Sequence, residues 1–176
     1  MAKLLYSATV SLDGFMAGPD GDMSWLTPFV GQPNETADRL LPLIGCILAG
    51  HRTFGGDDPN AGTDAEGAFG GEYHGPAIVL THRPASEAPD GVSFVGDLGD
   101  AVASAKEAAG ERYVNVLGAN VAMQCLDAGL LDEVLMFVVP VLLGDGVRFF
   151  ERRTGSPQVR LQPLPGETEL WFRIER

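Results

Sequence analysis

The sequence is poor in cysteine and has no long apolar run, and each shortage excludes a class of protein. Cys46 and Cys125 are the two cysteines among 176 residues, and both have apolar neighbours. So few cysteines exclude a disulfide framework and a cysteine-based zinc site, so we expect two buried small side chains and no bound metal. No apolar run approaches the roughly 20 residues that a membrane helix needs. The first residues also lack the pattern of a signal peptide, so we expect a cytoplasmic protein without a membrane partner.

Basic residues are scarce as well. The chain has 12 Lys and Arg against 24 Asp and Glu, which gives a formal net charge of −12. Nucleic-acid binding depends on cations that neutralise phosphates, so this charge argues against a nucleic-acid partner. An anionic membrane surface is disfavoured for the same reason. Any arginine beside a phosphate-binding pattern therefore stands out.

What the sequence does contain fits one domain over residues 1–176. Apolar residues make up 45% and charged residues 20%, as in ordinary globular proteins. Strand-like and helix-like segments alternate, and a turn at Pro165-Gly166-Glu167 joins the last two strands as a hairpin. We predict an α/β fold with a mixed, mostly parallel sheet, an antiparallel C-terminal hairpin, and helices on both faces. The predicted strands are 3–12, 44–49, 77–81, 92–95, 113–117, 134–143, 159–164 and 169–174, and the predicted helices are 34–43, 98–109 and 118–128.

Two neighbouring strand ends offer the same polar groups. Gly50-His51-Arg52-Thr53-Phe54 follows one buried strand, and Thr81-His82-Arg83 follows the next. Ligands of open α/β sheets bind beyond the carboxyl ends of the strands, and hydroxyls with guanidinium groups suit a phosphate. Together they predict one anion pocket. The alternative is that these side chains are ordinary exposed turn residues.

A third strand end carries small residues instead. Gly118-Ala119-Asn120-Val121 joins a strand to a helix and leaves the first helix amides free to receive a pyrophosphate. The segment does not match G-x-G-x-x-G, so the Rossmann dinucleotide fingerprint is absent. A plain strand-to-helix turn is the alternative.

Asp13 and Trp25 are candidates for the substrate side. A carboxylate at a strand end beside an apolar cleft acquires a raised pKa and can relay a proton, which is the role we expect for Asp13. Asp13-Gly14 as a simple turn is the alternative. Trp25 either stacks on a flat ring or fills the core.

The order and spacing of these motifs resemble the dihydrofolate-reductase-like superfamily, most closely the reductase domain of bacterial riboflavin-biosynthesis deaminase-reductases. The resemblance covers essentially the whole chain and implies a three-layer sandwich. The matching segments are 11–17, 50–54, 80–81, 118–121, 128–134, 140–146 and 149–150.

The resemblance implies an NADPH-dependent reductase that passes hydride to a C=N or C=O carbon of a small heterocycle, such as 5-amino-6-(5-phosphoribosylamino)uracil. The residues implied for the adenosine and its 2′-phosphate are Gly50, Arg52, Thr53, Thr81, His82 and Arg83. Those implied for the pyrophosphate and the nicotinamide are Gly118, Ala119, Asn120, Val121 and Ala17. Those implied for the substrate are Asp13, Trp25, Gly144, Asp145 and Gly146.

Three features depart from the pattern of that family. Leu117 stands where the family has a glycine, and a larger residue there is costly if the backbone must approach the cofactor closely. The loop 55–75 is acidic, although the resemblance places it near an anionic ligand. The deaminase half is absent, because no H-x-E is paired with P-C-x-x-C.

An alternative function follows from Leu117 and the acidic loop. The chain is then a non-catalytic nucleotide-binding or sensing protein that kept the fold. A homodimer is compatible with either function, and the apolar segments 134–143 and Phe149-Phe150 suggest one.

Overall fold

The computed structural model describes residues 1–56, 58, 60–64, 66–85, 87–165 and 169–175. The strands in this part of the chain are β1 (Leu4–Ser11), β2 (Phe15–Ala17), β3 (Ile44–Gly50), β4 (Ala77–Leu80), β5 (Val92–Val95), β6 (Tyr113–Leu117), β7 (Glu133–Val139), β8 (Val147–Arg148), β9 (Leu161–Pro163) and β10 (Leu170–Ile174). The α-helices are α1 (Glu35–Leu40), α2 (His51–Phe54), α3 (Leu98–Ala109) and α4 (Ala119–Asp127).

Eight of the strands form one mixed sheet in the order β5-β4-β3-β6-β1-β7-β10-β9. The six strands from β5 to β7 run parallel, and β10 and β9 add an antiparallel pair at one edge. The predicted sheet and its C-terminal hairpin are therefore confirmed. Gly166 and Glu167 of the predicted hairpin turn lie outside the described residues.

The two faces of the sheet are covered by different elements. On the first face, Val102 of α3 and Cys125 of α4 join a core with the even-numbered residues of β1. On the second face, Leu40 of α1 packs in a core with Leu135 and Trp171, and Phe69 covers part of it. This confirms the prediction of helices on both faces. Among the helices described, none is long and apolar enough to cross a membrane.

The helix ends form for local reasons that the sequence shows. Asp97 caps α3, because its carboxylate accepts the amide of Asp100 at 3.0 Å. After α4, the amide of Leu130 donates back to the carbonyl of Cys125 at 2.8 Å, and Gly129 takes the positive φ of 68° that this return requires. Both helix ends are as predicted.

Two predictions about strands were wrong or incomplete. The strand predicted over 134–143 ends at Val139, because Pro140 has no amide to continue the ladder. Beyond it, the Val141 carbonyl accepts the amide of Leu12 at 2.8 Å. The short antiparallel pair β2–β8 was not predicted.

Phe149 belongs to the core of its own chain. Its ring is buried and stacks on Tyr6 with centroids 4.0 Å apart. Strand β7 lies inside the sheet, between β1 and β10. The homodimer stays a prediction, and Phe149 no longer supports it.

Both cysteines are free and buried, as expected. Burial raises the pKa of each thiol to about 11. Cys46 and Cys125 therefore act as small apolar side chains.

The amino end of the sheet is fastened by one buried carboxylate. Glu133 accepts hydrogen bonds from the Tyr113 hydroxyl, the Trp171 indole and the Lys3 ammonium, each at 2.9 Å. These donors come from β6, from β10 and from the residue before β1, so Glu133 links neighbouring strands. A cavity of about 250 Å³ beside it is lined by Lys3, Asp132, Glu133, Arg173 and Ile174.

Candidate functional site

Three of the predicted ligand-binding segments lie at one edge of the sheet. In the ladders, Gly50 of β3 is opposite Leu80 of β4, and Ala49 of β3 is opposite Leu117 of β6. Because these strands run parallel, the residues that follow them emerge side by side at the carboxyl edge. The structure thus brings together segments 50–53, 81–83 and 118–121.

Gly118 allows two of these segments to touch. Its φ is +97°, and a Cβ placed there would overlap the hydroxyl oxygen of Thr53. Next to it, a Cβ on Gly50 would come within 3.0 Å of Val121 Cγ2. The start of α4 therefore packs directly against α2, and the glycines are needed for this approach.

The amides at the start of α4 are available to a ligand. The helix begins after Gly118 without a side-chain cap. Its first backbone hydrogen bond is donated by the Ala122 amide to the Gly118 carbonyl. The amides before Ala122 have no partner within the helix, and the helix dipole favours an anion there. Asn120 is exposed, and its side-chain oxygen accepts a hydrogen bond from Gln124 at 2.7 Å.

The basic side chains of this edge are exposed and have no acidic partner. Arg52, His82 and Arg83 form no ion pair with any residue in the described part of the chain. Thr81 is buried, and its hydroxyl accepts the Arg83 amide at 3.0 Å, which fixes the turn that carries Arg83. In a chain with a net charge of −12, unpaired cations at one edge form a local attraction for an anion.

Strand β1 extends beyond the end of its neighbour β6, which leaves a gap in the sheet. It pairs with β6 over Leu4–Tyr6, whereas its pairing with β7 continues to Ser11. We call the gap beside residues 7–11, beyond the end of β6, the sheet notch. At about 3.3 Å per residue it is roughly 15 Å long. Alternate amide and carbonyl groups of β1 point into it, and no described strand pairs with them.

The predicted nicotinamide and substrate segments meet beyond the carboxyl end of β1. Ala17 is in β2, opposite Val147 of β8, and β2 packs against β1. A Cβ on Gly146 would overlap the carbonyl oxygen of Ala17, so the two backbones are in direct contact. The structure therefore places Gly146 beside Ala17. Gly144 and Asp145 come immediately before it in the same turn.

Asp13 has a different environment from the one expected. Its Oδ1 accepts hydrogen bonds from the Ser11 hydroxyl at 2.6 Å and the Leu143 amide at 3.1 Å, and its Oδ2 accepts the Gly144 amide at 2.8 Å. The Ser11 hydroxyl, with the Gly144 and Leu143 amides, lowers the pKa of Asp13 to about 2. The expected raised pKa was wrong, because donors surround the carboxylate in place of an apolar cleft.

Trp25 lies in a 3₁₀ turn over Ser24–Phe29 and is half-buried. Its indole Nε1 is shielded from solvent and has no hydrogen-bond partner among the described residues. An indole N–H normally finds an acceptor when buried, so this one lacks its usual partner.

A buried polar pair beside the notch was missed from the sequence. The Ser7 hydroxyl donates to Asn115 Oδ1 at 2.7 Å, and both side chains are buried on the second face. The other end of the Asn115 amide has no partner among the described residues. The available signal was the period-two run of hydroxyls Ser7, Thr9 and Ser11 on a strand whose other face is apolar.

The departures from the family pattern cause no visible strain. Every described peptide bond is trans, and Leu117 has an ordinary φ, while the positive φ falls on Gly118. In the loop 55–75, Asp58 and Glu66 accept amides of their own loop from Gly67 and Gly62, at 2.7 and 2.8 Å. Part of the acidity of the loop therefore has a structural use. The described residues contain no cluster of three or more His, Cys, Asp or Glu that could hold a metal ion.

Comparison with known proteins gives a consistent result. Residues 2–165 match the family model described as the RibD C-terminal domain. A protein of Bacillus subtilis (strain 168), the uncharacterized protein YwjB, is 27% identical over 161 residues, which cover 90% of this chain and 88% of YwjB. The riboflavin biosynthesis protein RibD of Corynebacterium ammoniagenes is 29% identical over 145 residues, which cover 78% of this chain and 42% of RibD.

Among solved structures, one of a protein from Shewanella sp. PV-4, named for riboflavin biosynthesis, superposes with a TM-score of 0.73. It covers 100% of both chains at 24% sequence identity. This likeness shows the shared fold. The matched part of the Corynebacterium relative is less than half of that protein, so this chain spans only a portion of it.

Proposed function

We propose, since this chain belongs to the RibD C-terminal domain family, that it is an NADPH-dependent reductase of a small heterocyclic compound. The observation that carries the proposal is the carboxyl edge of the sheet. There, unpaired cations, free helix amides and the sheet notch adjoin one another. The first substrate to test is 5-amino-6-(5-phosphoribosylamino)uracil or a close relative.

The residues of this edge suit the parts of NADPH in order. Arg52 and Arg83 would hold the 2′-phosphate by charge and by guanidinium hydrogen bonds. The first amides of α4 would hold the pyrophosphate. The notch offers amide and carbonyl groups of β1 side by side, which is the complement of a carboxamide. Ala17 would then lie against the nicotinamide ring, which supplies the hydride when the cofactor is bound.

The protein contributes alignment more than acid chemistry in this proposal. Reduction of a C=N or C=O bond places hydride on carbon and a proton on nitrogen or oxygen. Asp13 stays ionised near neutral pH because its pKa is lowered to about 2, so it is a poor proton donor there. Solvent is the proton source that we propose. Trp25 is a candidate to orient the substrate.

The proposal is tested by two measurements on the purified chain. NADPH and NADH are titrated separately while the nicotinamide fluorescence is followed, and we expect a response that favours NADPH. NADPH oxidation is then followed with the ribosylaminopyrimidine and with a panel of pterins, flavin precursors and quinones. No response to either dinucleotide would contradict the proposal.

The alternative is a non-catalytic nucleotide-binding or sensing homodimer. Two observations had motivated it, and the structure weakens both, because Leu117 is accommodated without strain and loop carboxylates serve loop amides. NADPH binding without oxidation by any member of the panel would favour this alternative. Sedimentation at micromolar concentration would show whether the chain is a dimer.

A further inference from the structure

We propose that Asp13 and Ser11 act as positioning residues, which clamp the turn 143–146 against Ala17 beyond the carboxyl end of β1. The proposal rests on the proposed function for its effect on turnover. The clamp itself is a property of the protein without any ligand.

The first half of the clamp joins the end of β1 to the segment after β7. Asp13 accepts the amides of Leu143 and Gly144 on different oxygens, at 3.1 and 2.8 Å. These residues are 130 and 131 positions apart from Asp13 along the chain. One carboxylate therefore fixes two successive amides of a segment that leaves the sheet at Pro140.

The second half joins the same carboxylate to the start of β2. The Ser11 hydroxyl donates to Asp13 Oδ1 at 2.6 Å and accepts the amide of Phe15 at 2.9 Å. Ser11 is buried, so this hydroxyl has little access to water. It uses its one proton and a lone pair within the clamp.

These bonds set the distance between two walls of the proposed site. Gly146 is two residues beyond Gly144, and its backbone touches the Ala17 carbonyl so closely that no Cβ fits. Ala17 is two residues beyond Phe15, in the strand that pairs with β8. Movement at Leu143, Gly144 or Phe15 is therefore transmitted to the contact between Gly146 and Ala17.

The geometry also separates this role from proton transfer. Both oxygens of Asp13 already accept hydrogen bonds from the protein. A carboxyl group that must cycle between protonated and ionised forms would lose at least one of these bonds in each cycle. The arrangement suits a permanent acceptor.

The first test measures amide exchange in the protein without cofactor. Residue-resolved hydrogen exchange is followed for Leu143, Gly144 and Phe15 in the wild type and in Asp13→Ala, Asp13→Asn and Ser11→Ala. We expect the Leu143 and Gly144 amides to exchange roughly tenfold faster in Asp13→Ala, with a smaller increase in Asp13→Asn, which keeps one acceptor oxygen. In Ser11→Ala the Phe15 amide should accelerate. Asp127→Asn removes an exposed carboxylate far from the clamp and is the matched control.

The outcomes of this test decide the proposal. Unchanged exchange at Leu143 and Gly144 in Asp13→Ala would overturn it. If Asp13→Ala does not fold, the comparison of Asp13→Asn with Asp127→Asn decides in the same way. Because no cofactor is present, failure of the proposed function would leave this result standing.

The second test separates positioning from proton transfer. In the presence of NADPH and a substrate that is turned over, Asp13→Asn should weaken substrate binding and raise the KM for that substrate about tenfold. The pH dependence of kcat should keep its wild-type shape. Loss of kcat with unchanged KM and a changed pH profile would show that Asp13 transfers a proton, and would overturn the positioning role.

Discussion

The two ends of the sheet differ in whether their charged side chains have partners within the protein. At the amino end, Glu133 is buried, and its carboxylate accepts hydrogen bonds from Lys3, Tyr113 and Trp171. At the carboxyl end, Arg52, His82 and Arg83 are exposed and form no ion pair within the described residues. Loss of a partner from a buried, hydrogen-bonded charge is costly, whereas unpaired guanidinium groups on a fixed edge are available to a ligand. The difference separates an end whose charge is used inside the fold from the end that carries the proposed ligand site.

The largest expected effect is at the amino end. Glu133→Gln replaces one acceptor oxygen with an amide that faces the donors of Lys3, Tyr113 and Trp171. We expect the free energy of unfolding to fall by about 3 kcal/mol. Urea denaturation measures it, and Glu107→Gln, the same change at an exposed position of α3, should stay within about 0.5 kcal/mol of the wild type. The NADPH affinity of the folded variant should not change. A loss of affinity would contradict the assignment of separate roles to the two ends of the sheet.

The next effect is at the packed start of α4. Gly118→Ala adds a Cβ that meets the Thr53 hydroxyl at a backbone φ of +97°. We expect about 2 kcal/mol of lost stability together with weaker NADPH binding. Gly129→Ala is the matched control, because Gly129 also has a positive φ but its Cβ would meet nothing within 4 Å. It should cost about 1 kcal/mol, from strain alone, and leave binding unchanged.

A smaller effect is expected for the cations. Arg83→Ala should weaken NADPH binding by about 1.5 kcal/mol and leave NADH binding and stability nearly unchanged, because in the proposed site the arginine pairs only with the extra phosphate. Fluorescence titration with both dinucleotides measures this. Arg112→Ala removes an exposed arginine just before β6, at the other end of the sheet, and should change neither affinity. Equal losses for NADPH and NADH in Arg83→Ala would show that Arg83 does not recognise the 2′-phosphate.

The smallest expected effect is the titration of Asp13, which leaves the protein unchanged at neutral pH. Its pKa is lowered to about 2 in the folded protein, against 3.8 for a free side chain. The contribution of the clamp to the stability of the folded protein is therefore complete above about pH 4 and is lost as the pH falls through 2. The amide chemical shifts of Leu143 and Gly144 should titrate with a midpoint near 2. Asp13→Asn should show no such titration, and a midpoint above 4 in the wild type would contradict the assignment.

The features that could be predicted from the sequence are those set by local chemistry. The cap at Asp97 and the end of α4 at Gly129 follow from residues a few positions apart, and both were confirmed. The positions of Arg52, Arg83 and Gly118 at one edge follow from the rule that parallel strands end together. The fold class followed from the alternation of strands and helices.

The features that were missed depend on partners distant in sequence. The donors to Asp13 at Leu143 and Gly144 are backbone amides, which carry no mark in the sequence. The sequence left two interpretations of Asp13 open, a carboxylate beside an apolar cleft or part of a simple turn. Neither interpretation predicted a lowered pKa. The role of Glu133 depends on Lys3, 130 positions away. The pair β2–β8 is too short for a periodic pattern to reveal.

The burial of both cysteines makes the chain convenient for site-specific labelling. Because the pKa of each thiol is raised to about 11, neither forms an appreciable amount of thiolate near neutral pH, and maleimides should leave them unmodified. Leu142 is 72% exposed and directly precedes the first amide that Asp13 holds. A fluorophore on Leu142→Cys would therefore report motion of that turn from a single attachment point, in the otherwise native sequence.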